Sequence, residues 1–182
     1  IWPADVRDFQ IAPDSTHVLY GQLFPGAALF SVDVTRPGEA VRLSPPPLNS
    51  YVYPYSFTRD STRALYRLSG ELYSVPVDGS ATPVKLNGTL PHGAASVSYA
   101  VSAPLGRALY IADQEQYGRK ELYSVPVDDS LPPLKLNEPL PSGYDVSEVK
   151  APASGIRAAF LISANAASGS NDALFGVPID GS

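Results

Sequence analysis

The stretch ELYSVPVDGS at Glu71–Ser80 returns almost letter for letter as ELYSVPVDDS at Glu121–Ser130 and as ALFGVPIDGS at Ala173–Ser182. A phrase repeated at this length constrains the fold more than composition does, because each copy must solve the same packing problem. The aromatic that closes its LY or LF pair, Phe30, Tyr73, Tyr123 and Phe175 in four successive copies, recurs after 43, 50 and 52 residues. A second phrase precedes each of these: FQIAPDSTHVLY ending at Tyr20, YSFTRDSTRALY at Tyr66, YAVSAPLGRALY at Tyr110 and VKAPASGIRAAF at Phe160. A third phrase follows, VRLS at Val41–Ser44, VKLN at Val84–Asn87 and LKLN at Leu134–Asn137, with no fourth copy.

Each copy reads as four short strands. Asp-Gly-Ser after the third strand is turn chemistry, since Asp and Gly accept the positive φ that hairpins need. Ala-Pro-Asp-Ser at 12–15 and Thr-Arg-Asp-Ser at 58–61 serve the turn between the first two strands. Apolar residues fall on both parities of the third strand, Tyr73, Val75 and Val77 on one face and Leu72 and Pro76 on the other. A sheet apolar on both faces must be covered on both. Four-stranded sheets that recur every 40–50 residues and cover one another are the blades of a β-propeller. The expected fold is therefore all-β: three complete four-stranded blades at about 6–44, 52–87 and 97–137, and a fourth at 146–182 without its outer strand, together one partial propeller domain. Such a set is an arc of a larger ring, a half-ring that pairs with its own copy, or a four-bladed ring with an incomplete last blade. A β-sandwich is the structural alternative. No window carries a helical i, i+3, i+4, i+7 stripe, so about half the residues are expected in strands and no helix beyond one turn. Pro76, Pro126 and Pro178 would each remove a ladder donor, so they are expected at a bulge or a strand end.

The net charge of −5, with 13 Lys and Arg that never cluster, excludes a phosphate-binding surface for nucleic acid. No apolar run reaches the roughly 18–20 residues of a membrane-spanning helix. Cysteine is absent, which removes disulfides, thiol catalysis and thiolate metal sites. A chain that opens on Ile1 rather than Met reads as a processed product, an excised domain or an incompletely identified sequence.

Catalytic chemistry has little to build on. The nucleophile elbow G-x-S-x-G is missing, and His17 and His92 fall at turn positions of different copies, where they read as solvated turn residues. No catalytic residue and no cofactor is expected. The run Asp113 to Gly118 resembles a calcium loop, with Asp113 and Glu115 as candidate ligands and Gly118 for the sharp turn. Tyr117 does not fit, and the twelfth position, Ser124, carries no carboxylate, so a plain hairpin is the competing reading. The matching loop of the fourth copy, Asn165–Asp172, offers less charge, and Gly21–Ala27 and Arg67–Gly70 hold no ligand set. No phosphate-binding loop is present. Asn87-Gly88-Thr89 matches the glycosylation sequon but also a plain turn. Tyr51, Tyr53, Tyr55 and Phe57 would line a sugar- or peptide-binding surface or form blade core, with core favoured. Pro45-Pro46-Pro47 reads as a stiff connector.

The turn Ala12-Pro13-Asp14-Ser15 before V-L-Y, the phrases Glu71–Ser80, Glu121–Ser130 and Ala173–Ser182, and the strands Val84–Asn87 and Leu134–Asn137 together resemble the WD40-like PD40 repeats of TolB-type β-propellers. Thr58–Ser61 lacks the proline of that turn, Ala103–Gly106 lacks its Asp, and Ala151–Gly155 is looser still. The resemblance implies a non-catalytic scaffold whose loop faces and central funnel meet a protein partner or further copies of the chain. It also implies a periplasmic or extracellular location. An accessory propeller of a peptidase whose catalytic domain lies elsewhere is the alternative, and a carbohydrate-binding surface module a further one. Without a fourth outer strand, Ala173–Ile179 is an open edge, and an open ring would also expose Val18, Leu19, Leu174 and Val177. Self-association is expected from such an edge.

Overall fold

The computed structural model describes residues 6–22, 27–36, 38–45, 52, 55–91, 97–152, 154–164 and 172–182, with backbone alone at 7 and 98–103. Its regular elements are all strands: β1 Val6–Ile11, β2 His17–Gln22, β3 Ala28–Asp33, β4 Val41–Arg42, β5 Tyr55–Phe57, β6 Arg63–Leu68, β7 Glu71–Pro76, β8 Val84–Lys85, β9 Val97–Ala103, β10 Arg107–Ala112, β11 Glu121–Pro126, β12 Leu134–Lys135, β13 Tyr144–Lys150, β14 Arg157–Ala164 and β15 Ala173–Pro178. They form four antiparallel meanders, here sheets 1 to 4, in the orders β1-β2-β3-β4, β5-β6-β7-β8, β9-β10-β11-β12 and β13-β14-β15. The chain divides into two compact units, Ile1–Lys85 with sheets 1 and 2, and Leu86–Ser182 with sheets 3 and 4.

The repeated phrases are repeated hydrogen bonds. In each Asp-Gly-Ser-type turn the carboxylate accepts from the backbone N–H two residues on: Asp78 from Ser80 at 3.0 Å, Asp128 from Ser130 at 3.1 Å and Asp180 from Ser182 at 3.2 Å. The middle residue is left-handed in all three, at φ +68° for Gly79, +60° for Asp129 and +79° for Gly181. In Asp-Ser-Thr, Asp14 and Asp60 accept from Thr16 and Thr62, and Ser15 and Ser61 take φ of +63° and +61°. The asparagine of LKLN lies two residues beyond its strand, with Asn137 Oδ1 accepting from Leu122 N at 2.7 Å.

Pro76, Pro126 and Pro178 each form the last residue of a strand. The following residue, Val77, Val127 or Ile179, donates inward to Thr62, Gly106 or Ile156. Backbone alternation therefore turns the proline nitrogen outward, beyond the reach of the two-residue fourth strand, and no ladder bond is lost.

The two aromatic series stand opposite each other in the register of every sheet. Tyr20 pairs with Phe30, Tyr66 with Tyr73, Tyr110 with Tyr123 and Phe160 with Phe175. Their rings stack at centroid distances of 5.3, 5.5, 5.3 and 5.5 Å. Each such pair adds about 0.5–1.5 kcal/mol beyond the area it buries.

Burial raises the phenols of Tyr66, Tyr110 and Tyr123 well above the ordinary value of 10.0. Their neutral form is favoured in the folded state, so their contribution to stability is intact below pH 10 and is lost as the pH rises above it. Alkaline denaturation is expected to begin above about pH 10, with the buried tyrosines ionising together as the chain unfolds. Absorbance of tyrosinate followed alongside circular dichroism checks this, and ionisation of all eleven tyrosines without unfolding would contradict it.

Sheets 1 and 2 meet through a shared core that includes Leu19, Leu29, Leu43, Tyr55, Phe57, Tyr66 and Val75. The expectation that Leu19 lies on an exposed flank is corrected: it is fully buried. Strand alternation puts Leu19 opposite Ser31 and on the face shared with sheet 2, while Val6, Phe9 and Ile11 are the exposed apolar residues of β1. Val18 and Val177 are half-buried, and Leu174 is 73% exposed. The seam between sheets 1 and 2 also carries polar contacts: Gln10 Nε2 donates to Tyr55 O at 2.9 Å, and Asp14 N to Ser61 Oγ at 3.1 Å. The Tyr55 hydroxyl donates to Asp8, at 2.5 Å from Oδ1 and 2.8 Å from its carbonyl, and accepts from Gly21 N at 3.0 Å. Sheets 3 and 4 share a second core around Leu109, Ile111, Leu122, Val146, Phe160 and Ile179. Val146 N donates there to Lys120 O at 2.9 Å, and Lys120 N to Asp145 Oδ1 at 3.0 Å.

Candidate functional site

A cleft of 670 Å³ opens between sheets 1 and 2, lined from both by their turns and strand ends. Sheet 1 contributes Asp14, His17, Ser31, Asp33 and Glu39, and sheet 2 contributes Asp60, Arg63 and Asp78. These residues converge because the repeat puts its charged turn residues and the start of its second strand at one end of each sheet.

Four of the carboxylates, Asp14, Asp33, Asp60 and Asp78, are held ionised by their own turns. Hydrogen bonds from the Thr35 hydroxyl and backbone bring Asp33 down to about 2, and those from Thr16 lower Asp14. The Ser80 backbone lowers Asp78. Asp60 is lowered as well: burial, the largest single influence, pushes it up but is outweighed by hydrogen bonds from Thr58 and Thr62. The cations are already engaged, Arg36 Nε with Asp33 Oδ2 at 3.0 Å and Arg63 Nε with the Ser74 hydroxyl at 2.7 Å.

His17 sits on this cleft but is not arranged to activate the hydroxyl of Thr16. Thr16 Oγ1 is 2.7 Å from Asp14 Oδ1 and 2.8 Å from His17 Nδ1. The hydroxyl has one proton and gives it to the carboxylate, so it accepts from the ring and cannot pass a proton to it. His92 lies outside the described residues.

The calcium candidates have other partners. Asp113 is buried, and its Oδ2 accepts from Gly118 N at 3.0 Å, which closes the hairpin with Gly118 at φ +76°. Glu115 pairs instead with Lys135 Nζ at 2.6 Å, and Lys135 also reaches Glu121 at 3.3 Å. Among the described residues no three acidic or histidine side chains gather to hold a metal ion. Tyr55 and Phe57 are core, while Tyr51 and Tyr53 lie outside the described residues, as do 165–171 of the fourth loop. Asn87 is buried, and its Nδ2 donates to Gly88 O at 2.8 Å, so the sequon matches a structural turn.

No protein-family model matches the sequence, and no curated protein matches it either. Solved structures do. A TolB-type protein from Agrobacterium tumefaciens superposes with a TM-score of 0.61 at 18% identity, over 97% of this chain and 62% of that one. The chain thus spans less than two thirds of that relative. The β-propeller domain of Cps50 (Swd1) from Myceliophteria thermophila gives a TM-score of 0.56 at 12% identity, over 90% of this chain and 50% of that one.

The fold is that of β-propeller blades. Sheets 1 to 3 are complete four-stranded blades, and the three strands of sheet 4 make a fourth without an outer strand among the described residues. Dipeptidyl peptidase 4 from Porphyromonas gingivalis shares the architecture at a TM-score of 0.67 and 12% identity, over 88% of this chain and 29% of that one.

The feature that sequence reasoning missed is a cation–hydroxyl pair across strands two and three of the blades. Arg63 meets Ser74 in blade 2, and Arg107 Nε meets Ser124 Oγ at 2.7 Å in blade 3. The signal was present in the text, as R-A-L-Y in one phrase and L-Y-S in the next.

Proposed function

We propose that the chain works as a non-catalytic interaction scaffold of propeller blades whose open edge takes a further strand, in the isolated chain that of a second copy. One observation carries this reading. The third strand of blade 4 has no outer neighbour among the described residues, and it exposes Leu174 at 73% and Phe175 at 46%, whereas the equivalent Leu122 and Tyr123 of blade 3 are buried. An edge with free N–H and C=O groups and apolar side chains recruits another strand. Light scattering over a dilution series tests the proposal. The expected result is a mass above 19.3 kDa at high concentration that falls on dilution. A monomer at every concentration, or turnover of peptide or ester substrates abolished by a single Ser or His replacement, would contradict it.

A second reading, the accessory propeller of a peptidase, is favoured by the match to 29% of the Porphyromonas gingivalis enzyme. A hydrolase signature encoded next to these blades in the parent gene would support it. The carbohydrate-binding reading is weakened, since Tyr55 and Phe57 are buried. A glycan array probes what remains of it.

A further inference from the structure

The four copies of the repeat act as controls for one another. In blades 2 and 3 an arginine at the start of the second strand donates through Nε to a serine hydroxyl on the third, at 2.7 Å in both. Ser74 and Ser124 are fully buried, so each guanidinium satisfies a hydroxyl that water does not reach. Blade 4 keeps the arginine and loses the hydroxyl, and Arg157 Nη2 turns to the Gly176 carbonyl at 2.9 Å. Blade 1 does the reverse. His17 occupies the register of Arg63, opposite Asp33 as Arg63 is opposite Pro76. The imidazole is turned to Thr16. Ser31, at the register of Ser74, is 1% exposed, and its Oγ is buried without a hydrogen-bond partner. Ser31 lines the cleft between blades 1 and 2.

The surroundings suit the missing group. In blades 3 and 4 the charge of Arg107 feels Asp180 of the next blade's turn. Asp78 occupies that turn position beside blade 1, where it feels His17. Asp14 and Asp60 add negative charge, and the cleft's own arginines are committed to Asp33 and Ser74. Carboxylates in excess, with a buried hydroxyl lacking a donor, call for a cation with N–H groups in a fixed plane.

We propose that this cleft receives the guanidinium of an arginine side chain presented by a partner protein, which supplies in trans the arginine that blade 1 lacks. An N–H of the guanidinium donates to Ser31 Oγ, and its charge sits between Asp78 and Asp14. A peptide-borne arginine fits better than the free amino acid, whose α-carboxylate would face the carboxylates around the cleft. The slot rests on the scaffold reading only for the source of its arginine, and light scattering judges the scaffold separately.

Amide NMR of the full chain titrated with N-acetyl-arginine amide tests the proposal, with the lysine and citrulline analogues and free arginine as comparisons. Saturable shifts are expected at Ser31, His17 and Asp78, with lysine at least about tenfold weaker and citrulline without effect. Free arginine is expected to be weaker than its blocked form. His17→Arg fills the slot from within and is expected to raise Tm and abolish binding. Asp78→Asn, at an exposed turn, is expected to weaken binding about tenfold, and it carries the test if His17→Arg does not fold. The absence of saturable shifts, equal response to arginine and lysine, tighter binding of free arginine, or unchanged binding by either variant would overturn the proposal.

Discussion

Gly79→Ala is expected to destabilise the chain by about 2 kcal/mol, an effect assembled from two separate causes. The first is conformational: Gly79 sits at φ +68°, where a non-glycine residue costs roughly 1–2 kcal/mol. The second is steric. A Cβ here would penetrate the van der Waals shell of Val41 Cγ1 at the outer strand of blade 1, so Val41 must move. The double variant Gly79→Ala, Val41→Ala separates the causes, since it removes the clash and keeps the strain; partial recovery is expected in a double-mutant cycle. Blade 3 supplies an internal control, because its turn already carries Asp129 at φ +60°. Asp129→Gly is expected to change stability by less than about 1 kcal/mol, because Asp tolerates the left-handed region and glycine's extra freedom in the unfolded chain offsets the strain it relieves. Urea denaturation of these variants, together with Val41→Ala and the parent, checks all of this, and a Gly79→Ala variant as stable as the parent would show that the turn does not press on its neighbouring blade.

Tyr123→Ala is expected to cost about 3–5 kcal/mol, in the range of large aromatic truncations in a core. Tyr123 is 1% exposed and stacks on Tyr110, which is fully buried. A loss of that size approaches the roughly 5–15 kcal/mol that hold a whole domain folded. Phe175→Ala removes the same position in blade 4, where the ring also stacks on its partner but is 46% exposed. It is expected to cost about 1 kcal/mol, the stacking contribution with little burial behind it. Thermal unfolding of the two variants therefore reads the difference between a covered and an uncovered blade. Equal losses would mean that blade 4 is as covered as blade 3.

The repeated phrases made the strands and turns legible because each carries its own local cause. Asp78 closes its turn two residues away and Pro76 ends its strand, so neither needs distant information. The flank of blade 1 was misread at Leu19, since the sequence shows which residues alternate but not which face the next blade covers. The Tyr55 hydroxyl network was not legible at all. Its partners Gly21 and Asp8 lie 34 and 47 residues away, and no other copy repeats them. Asp113 and Glu115 show what spacing alone leaves out. Their spacing suggested alternating oxygens, but Lys135 on the outer strand draws Glu115 to itself, and a backbone N–H occupies Asp113. The unpartnered hydroxyl of Ser31 becomes visible only when blade 1 is compared with Arg63 and Arg107 in three dimensions.

The central claim is that every copy of the repeat builds the same blade, with its two phrases paired in one register. Nuclear Overhauser contacts between aromatic rings test it most directly. Four inter-ring contacts are expected, between Tyr20 and Phe30, Tyr66 and Tyr73, Tyr110 and Tyr123, and Phe160 and Phe175. A one-residue slip of either strand would send one ring of the pair to the opposite face of the sheet, so absence of these contacts in a folded sample, or contacts between other rings in their place, would contradict the account.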